Sequence, residues 1–203
     1  MASSTEWQLE NGSAREFLAG EELRRPFIVV ADEVPTDLAA FEAAVDHASY
    51  SFLAEVHARG YDLILVGFDA KAVKLSDQAK TIVNAVYRAR ADRHGQESLI
   101  VGGVGRGALA ARYALARQER DSVDHETSVF FSYNGTAASP EEDEELKRLG
   151  DRAQRPMNLK AVSGDFASAP DDEHFDDTRA GDANTGGPLI TKELGSWLLG
   201  RLG

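Results

Sequence analysis

A glycine-rich turn, Gly103-Val104-Gly105-Arg106-Gly107-Ala108, separates an apolar stretch from a segment with helical apolar spacing. It satisfies the pattern G-x-G-x-x-G/A, in which glycines let the backbone approach a pyrophosphate at a helix start. This predicts a dinucleotide site as one function. Two complete strand–helix units precede the turn, whereas the pattern normally follows the first strand of a nucleotide-binding half. The acids at suitable spacing, Asp121 and Asp124, come before the next apolar strand and not after it.

The same turn also fits a sharp strand-to-helix connection that presents a catalytic side chain. The stretch GVGRGALAARYAL resembles the nucleophile elbow of lipase- and esterase-like α/β-hydrolases, which commonly runs G-x-S-x-G-G-x-x-A-R-Y. Gly103 and Gly107 match the flanking glycines, and Ala111-Arg112-Tyr113 matches the start of the following helix. A weaker resemblance extends over residues 24–120. It implies a three-layer α/β-hydrolase-like fold, with helices on both faces of a mostly parallel sheet. The family often carries a lid after the strand that SVFFSYNG resembles, but the segment before the next predicted strand is long enough for only one helix, so we expect little or no lid.

Gly105 stands where the resemblance places the nucleophilic serine. An elbow holds its central residue in a strained backbone conformation, which glycine adopts readily. Glycine has no hydroxyl, so the turn is present without the group that attacks an ester. We therefore expect the turn to contribute to ligand binding through Gly103, Val104, Gly105, Arg106 and Gly107.

The resemblance also implies a catalytic acid after the strand MNLKAVSG and a histidine before the last helix. Asp165, followed by Asp171, offers the acid, with a turn-forming aspartate as the alternative. Gly186 and Gly187 occupy the place expected for the histidine, and the only histidine in that loop is His174. The triad is therefore expected to be incomplete.

Carboxylates at the ends of the predicted strands favour a different chemistry. Asp32 and Glu33 lie where the family's oxyanion loop offers N–H groups, and their charges would oppose an oxyanion. Carboxylates that share a pocket acquire separated pKa values and can act as acid and base. The candidate set is Asp32, Glu33, Asp69 and Asp165, with His174 or Arg106, and Asn134 at a further strand end. Loop solvation and helix capping are the simpler interpretation of the same side chains.

Strands that alternate with helices must position these residues. Apolar runs predict strands at RPFIVVADE, YDLILVGFD, SLIVGG, TSVFFSYNG and MNLKAVSGD, after one or two edge strands in residues 1–25. Helices are predicted from an N-cap at Thr36 to Gly60, from an N-cap at Ser76, after the glycine turn, over about 140–152, and at LITKELGSWLLGRL. This order is typical of an α/β protein with a mostly parallel sheet, whose ligands bind at the carboxyl ends of the strands.

Composition restricts the function classes. The chain has 203 residues, which suits a single domain over 1–203, and a net charge of −12, which argues against nucleic acid and anionic membranes. It has no cysteine, and its start lacks the basic and then apolar run of a secretory signal. We expect a soluble, cytoplasmic protein. The acidic segment DDEHFDD lacks the glycine-containing spacing of a calcium loop, so no metal is expected there. No cofactor is expected either.

These observations predict an α/β-hydrolase-like protein that does not hydrolyse esters through a Ser-His-Asp triad. Its expected function is small-molecule binding, a pseudoenzyme role, or acid–base chemistry of the epimerase or cyclase type in biosynthesis. The expected partner is a small molecule or a protein, and a second copy of the chain is a candidate to close an open pocket. The alternatives are an esterase with a displaced or mutated nucleophile and a dinucleotide-binding protein.

Overall fold

The computed structural model describes residues 4–167, 169–170 and 172–202. The strands are β1 Ser4–Leu9, β2 Gly12–Phe17, β3 Pro26–Val30, β4 Asp46–His47, β5 Tyr50–Ser51, β6 Asp62–Phe68, β7 Leu99–Val104, β8 Thr127–Tyr133, β9 Met157–Val162 and β10 Asp177–Ala180. The helices are α1 Leu38–Val45, α2 Phe52–Ala58, α3 Leu75–Asp92, α4 Arg106–Arg120, α5 Pro140–Leu149 and α6 Lys192–Gly200, with a 3-10 turn at Asp172–His174.

Eight of the strands form one sheet in the order β1-β2-β6-β3-β7-β8-β9-β10. The pairs β1–β2 and β2–β6 are antiparallel, and every other pair is parallel. The predicted α/β class with a mostly parallel sheet is therefore confirmed. The chain leaves β3 for β6 on one side and then returns to β7 on the other side, so the strand order reverses at β3.

Helices cover both faces of the sheet. Successive side chains of a strand point to opposite faces, so each central strand contributes to two cores. Ile28 and Val30 of β3 belong to the core beneath α3 and α4, whereas Phe27 and Val29 belong to the core beneath α1, α2 and α6. All four side chains are fully buried. The predicted three-layer arrangement is confirmed.

The predicted single helix from Thr36 to Gly60 is wrong. The chain forms α1, a two-stranded hairpin of β4 and β5, and then α2. Asp37, not Thr36, is the N-cap of α1, since its carboxylate accepts hydrogen bonds from the backbone N–H groups of Ala39 and Ala40. Ser51 caps α2 by accepting from Ala54 N at 2.9 Å, so the second helix has a start signal of its own.

Other predicted boundaries also differ from the structure. Helix α3 begins at Leu75 after an N-cap at Lys74, which makes no side-chain capping bond, so the predicted cap at Ser76 is wrong. The polar segment before α6, predicted as a loop, contains the 3-10 turn and β10, which pairs in parallel with β9. Within the described ranges, no helix combines the length and the apolar character needed to cross a bilayer.

Candidate functional site

A cavity of about 200 Å³ lies at the carboxyl ends of β3 and β7. The reversal of strand order at β3 leaves a crevice there, which is where open α/β sheets commonly bind ligands. Residues that follow β3, the end of β7, helix α1 and the segment before α6 line it: Ala31, Asp32, Glu33, Thr36, Asp37, Ala40, Phe41, Ala44, Val104 and Leu189. The topology alone therefore brings Asp32, Glu33 and Val104 to one site.

The turn from β7 to α4 is sharp because Gly105 has φ 52° and ψ −124°. A side chain is strained in this conformation, which glycine tolerates. The Gly105 N–H donates to the carbonyl of Tyr133 at 3.1 Å, and the Gly105 carbonyl accepts from Thr136 N at 3.2 Å. A Cβ on Gly107 would lie 2.3 Å from the carbonyl oxygen of Ala31, so glycine there lets α4 start against the end of β3.

The Asp32 carboxylate occupies the space directly over Gly105. A Cβ added to Gly105 would lie 2.2 Å from Asp32 Oδ1 and 2.3 Å from its Cγ. The backbone N–H of Arg106 donates to Asp32 Oδ1 at 2.5 Å. An anion is favourable at this position, because the first N–H groups of a helix are unpaired and carry partial positive charge. Asp32 therefore serves as an internal anion for the N-terminus of α4.

The side chain of Arg106 joins α4 to its neighbours. Its guanidinium makes two hydrogen bonds to the Glu142 carboxylate, one of them from Nη1 to Oε2 at 3.0 Å, and its Nε lies 3.3 Å from Gln78 Oε1. These bonds hold the pKa of Glu142 below its usual value. Arg106 does not line the cavity, so of its groups only the backbone N–H takes part in the site.

Asp165 and His174, the candidates for a triad, lie outside the cavity lining. Asp165 is exposed and its Oδ1 accepts from the backbone N–H of Asn184 at 2.9 Å, which holds the pKa of Asp165 below its usual value. The carbonyl of His174 accepts from Arg152 Nη1 at 3.0 Å, and its ring lies 3.8 Å from the Glu173 carboxylate. The alternative acid, Asp171, lies outside the described residues.

Asp69 and Asn134 hold loops together at two strand ends. The Asp69 N–H donates to the carbonyl of Asn11 at 2.9 Å, and its side chain is exposed. The Asn134 side chain makes two hydrogen bonds of 2.8 Å with Ser163, one with its hydroxyl and one with its N–H, which join the ends of β8 and β9. Neither residue belongs to the cavity lining. Gly103 is also absent from the lining, and a Cβ added to it would meet backbone atoms of β3 and α4.

Sequence reasoning missed the lining that α1 and the segment before α6 contribute. Asp37 was detectable, because an acid directly before an apolar helical repeat is an N-cap signal. Leu189 was not, because its place depends on a backbone hydrogen bond from its N–H to the carbonyl of Ala44 at 3.0 Å. Across the described positions, no three His, Asp or Glu side chains are arranged to hold a metal ion.

Comparison with known proteins supports the fold. The sequence matches no protein-family model and no curated protein. The solved structure of Est1E from Butyrivibrio proteoclasticus is 11% identical over 98% of both chains, with a TM-score of 0.62. A predicted CIB-like hydrolase from Thermoplasma acidophilum is 9% identical over 98% of this chain and 94% of that one, with a TM-score of 0.60.

A third similar structure is longer than this chain. Carboxyl esterase 2 from the fungus Tuber melanosporum is 10% identical with a TM-score of 0.58, and the match covers 80% of this chain but only 66% of the esterase. Identities this low show the fold alone. The protein has an α/β-hydrolase-like fold.

Proposed function

We propose that this protein binds a small organic cation in the cavity at the ends of β3 and β7, and that it does not hydrolyse esters. The observation that carries the proposal is the Asp32 carboxylate, which lies over Gly105 and accepts the N–H of Arg106. Each part of the proposal rests on the charges and the shape of this one site.

Ester hydrolysis by a serine on this fold passes through a tetrahedral intermediate with a negatively charged oxygen. The N–H of the residue after the nucleophile stabilises that oxygen. That N–H belongs to Arg106 and already donates to Asp32. A second negative charge beside the carboxylate would be repelled. The contact opposes dinucleotide binding for the same reason, because a pyrophosphate at the N-terminus of α4 would compete with Asp32.

The lining of the cavity favours a ligand with a positive charge and a small apolar body. Three acidic residues, Asp32, Glu33 and Asp37, belong to it together with seven other residues, none of which is Lys, Arg or His. Six of those seven are apolar: Ala31, Ala40, Phe41, Ala44, Val104 and Leu189. An ammonium group beside the acids and an apolar part against these side chains would satisfy both halves of the cavity.

Acid–base chemistry is the second candidate function. Asp32 and Glu33 line the same cavity, so one could remove a proton from a bound ligand and the other return it. This function requires a ligand in the same place, so it depends on the binding proposal. The separate esterase alternative requires a reactive serine elsewhere in the chain.

Two ring compounds of opposite charge test the proposal: benzylamine, which is a cation, and benzoate, which is an anion. We expect benzylamine to perturb the NMR amide signals of Ala31, Val104 and Leu189 in a saturable way, and benzoate to leave them unchanged. Glu33→Gln should weaken binding, whereas the matched change Glu144→Gln, on the exposed face of α5, should not. Stronger binding of benzoate than of benzylamine, or no binding of either, would contradict the proposal.

A serine-reactive fluorophosphonate and a p-nitrophenyl ester test the esterase alternative. We expect no covalent labelling and no ester turnover above the buffer rate. Labelling of one serine, with turnover that its alanine variant abolishes, would establish the alternative and overturn the non-hydrolytic part of the proposal.

A further inference from the structure

The cavity at the ends of β3 and β7 has a one-sided set of hydrogen-bonding side chains. Among the described residues that line it, Thr36 is the only neutral polar one, and its hydroxyl hydrogen is already used, since Oγ1 donates to the carbonyl of Glu33 at 2.6 Å. The same oxygen accepts from the N–H of Phe68 at 2.9 Å. The other described lining side chains are apolar or acidic, and an ionised carboxylate only accepts hydrogen bonds. These side chains can therefore accept hydrogen bonds from a ligand but have none to donate.

Carboxylate oxygens of the lining residues remain available to a ligand. Asp32 Oδ1 accepts from the N–H of Arg106, and Asp37 Oδ1 accepts from two N–H groups at the start of α1. The second oxygen of each aspartate and the Glu33 carboxylate have no donor among the residues that the structure describes, and all three residues are exposed to water. A ligand that fills the cavity displaces water from such acceptors, and an acceptor left without a donor costs free energy. A well-matched ligand must therefore bring its own N–H or O–H groups.

We propose that the ligand of this cavity is a protonated primary amine with a small apolar body and no carboxylate. The inference rests on the proposed binding of an organic cation and names the chemical class of that cation. A primary ammonium group combines the positive charge with three N–H donors, so it matches both the charge and the acceptors of the lining residues. The apolar body would lie against Phe41, Val104 and Leu189.

The same lining disfavours two related classes of cation. A quaternary ammonium ion has the charge but no N–H, so it would leave the carboxylate oxygens of Asp32 and Glu33 without a donor. An amino acid has the ammonium group and also a carboxylate, which the acidic residues would repel. No described residue of the lining is Lys, Arg or His, so that carboxylate would find no cationic partner. The cavity should therefore separate an amine from the amino acid that has the same side chain.

Two matched pairs of ligands test these requirements separately, by NMR titration of the amide signals of Ala31, Val104 and Leu189. α,α-Dimethylbenzylamine and N,N-dimethylbenzylamine are isomers, and both are cations at neutral pH. The protonated form of the first carries three N–H donors, whereas that of the second carries one. Phenylglycinol and phenylglycine share the amine, but phenylglycine has a carboxylate where phenylglycinol has a neutral hydroxymethyl group. We expect the second compound of each pair to bind at least about tenfold more weakly than the first.

The variant Asp32→Asn tests the same requirements from the side of the protein. Asparagine has the shape of aspartate and can still accept from the N–H of Arg106, while its amide adds N–H donors to the lining. We expect the ratio of affinities within each ligand pair to fall towards one in Asp32→Asn. The ratio should stay unchanged in the matched control Glu144→Gln, on the exposed face of α5.

The outcomes distinguish this inference from the function on which it rests. If neither benzylamine nor α,α-dimethylbenzylamine binds, both the proposed function and the amine class are overturned. If benzylamine binds but the two members of either pair bind equally well, the cation site stands and the amine class is overturned. An affinity ratio that Asp32→Asn leaves intact would also overturn the amine class, because the acceptors beside Gly105 would then not be the source of the selectivity.

Discussion

At the scale of single residues, the glycine at position 105 and the carboxylate at position 32 account for the character of the site. A pattern match is enough to predict the turn around Gly105, because its backbone needs are local. The contact with Asp32 depends on two segments that are 73 residues apart in the sequence and meet only after the sheet forms. The sequence alone therefore predicts that the charge of Asp32 would repel an oxyanion. It does not predict that the Asp32 carboxylate lies over Gly105.

His125 is a residue whose titration should appear in the stability of the fold. Its ring is fully buried, Nδ1 accepts from Thr127 N at 3.1 Å, and Nε2 lies 3.2 Å from Glu119 Oε1. Burial holds its pKa below the ordinary value of 6.5. As the pH falls below 6.5, the unfolded chain takes up a proton that the folded chain does not, so the free energy of unfolding decreases.

Urea unfolding over a range of pH checks this prediction. His125→Gln should reduce the loss of stability between neutral and mildly acidic pH, because the proton uptake of the unfolded state is removed. His94→Gln serves as the control, since the His94 side chain is 62% exposed. Identical pH slopes for the parent protein and His125→Gln would rule out this role.

At the scale of elements, the central strands could be predicted and the helix boundaries near the site could not. Continuous apolar runs mark β3, β6 and β7 because both faces of a parallel sheet are buried. The repeat that suggested one long helix is real, since Phe41, Val45, Phe52 and Val56 are all buried. A short hairpin interrupts it, and the apolar positions on either side still face the same core. Spacing alone does not reveal such an interruption.

The substitution Asp37→Ala tests the observed start of α1. The N–H groups of Ala39 and Ala40 would lose their acceptor, at a cost of about 1 kcal/mol in the free energy of unfolding. Hydrogen exchange at those two amides should accelerate in Asp37→Ala. In Thr36→Val, by contrast, the affected amide should be Phe68, whose N–H donates to Thr36 Oγ1 at 2.9 Å. Faster exchange at Ala39 and Ala40 in Thr36→Val alone would support Thr36 as the cap instead.

At the scale of the whole molecule, the order of the strands determines where a ligand can bind. Alternating strand and helix signals predict a parallel sheet, but the reversal at β3 comes from pairings between distant segments. That reversal places Ala31 and Val104 side by side in the cavity lining. Asp165 was predicted to share this pocket because it also follows a strand, yet β8 separates β9 from β7 and Asp165 stays outside the lining.

Two glutamates that pair with arginine should make the fold sensitive to acid. Ion pairs hold the pKa of Glu126 and Glu142 below the ordinary value of 4.5. Their stabilising effect is present above that value and is lost as the pH falls through their folded-state pKa, because the protonated carboxyl no longer pairs with arginine. Glu142→Gln should therefore flatten the acid limb of a stability curve more than the control Glu144→Gln. The two residues share α5, but Glu144 is 73% exposed. Equal acid limbs for both variants would contradict the assignment.

The position of Asp32 over Gly105 is the central claim, and a double-mutant cycle measures it most directly. The free energy of unfolding is compared for the parent protein, Gly105→Ala, Asp32→Ala and the double variant. A Cβ at position 105 meets the Asp32 carboxylate atoms, so Gly105→Ala should cost about 1 kcal/mol more in the parent protein than in the Asp32→Ala background. The cost that remains in the Asp32→Ala background includes the strain of a side chain at positive φ. An equal cost of Gly105→Ala in both backgrounds would show that the carboxylate does not occupy the space over Gly105.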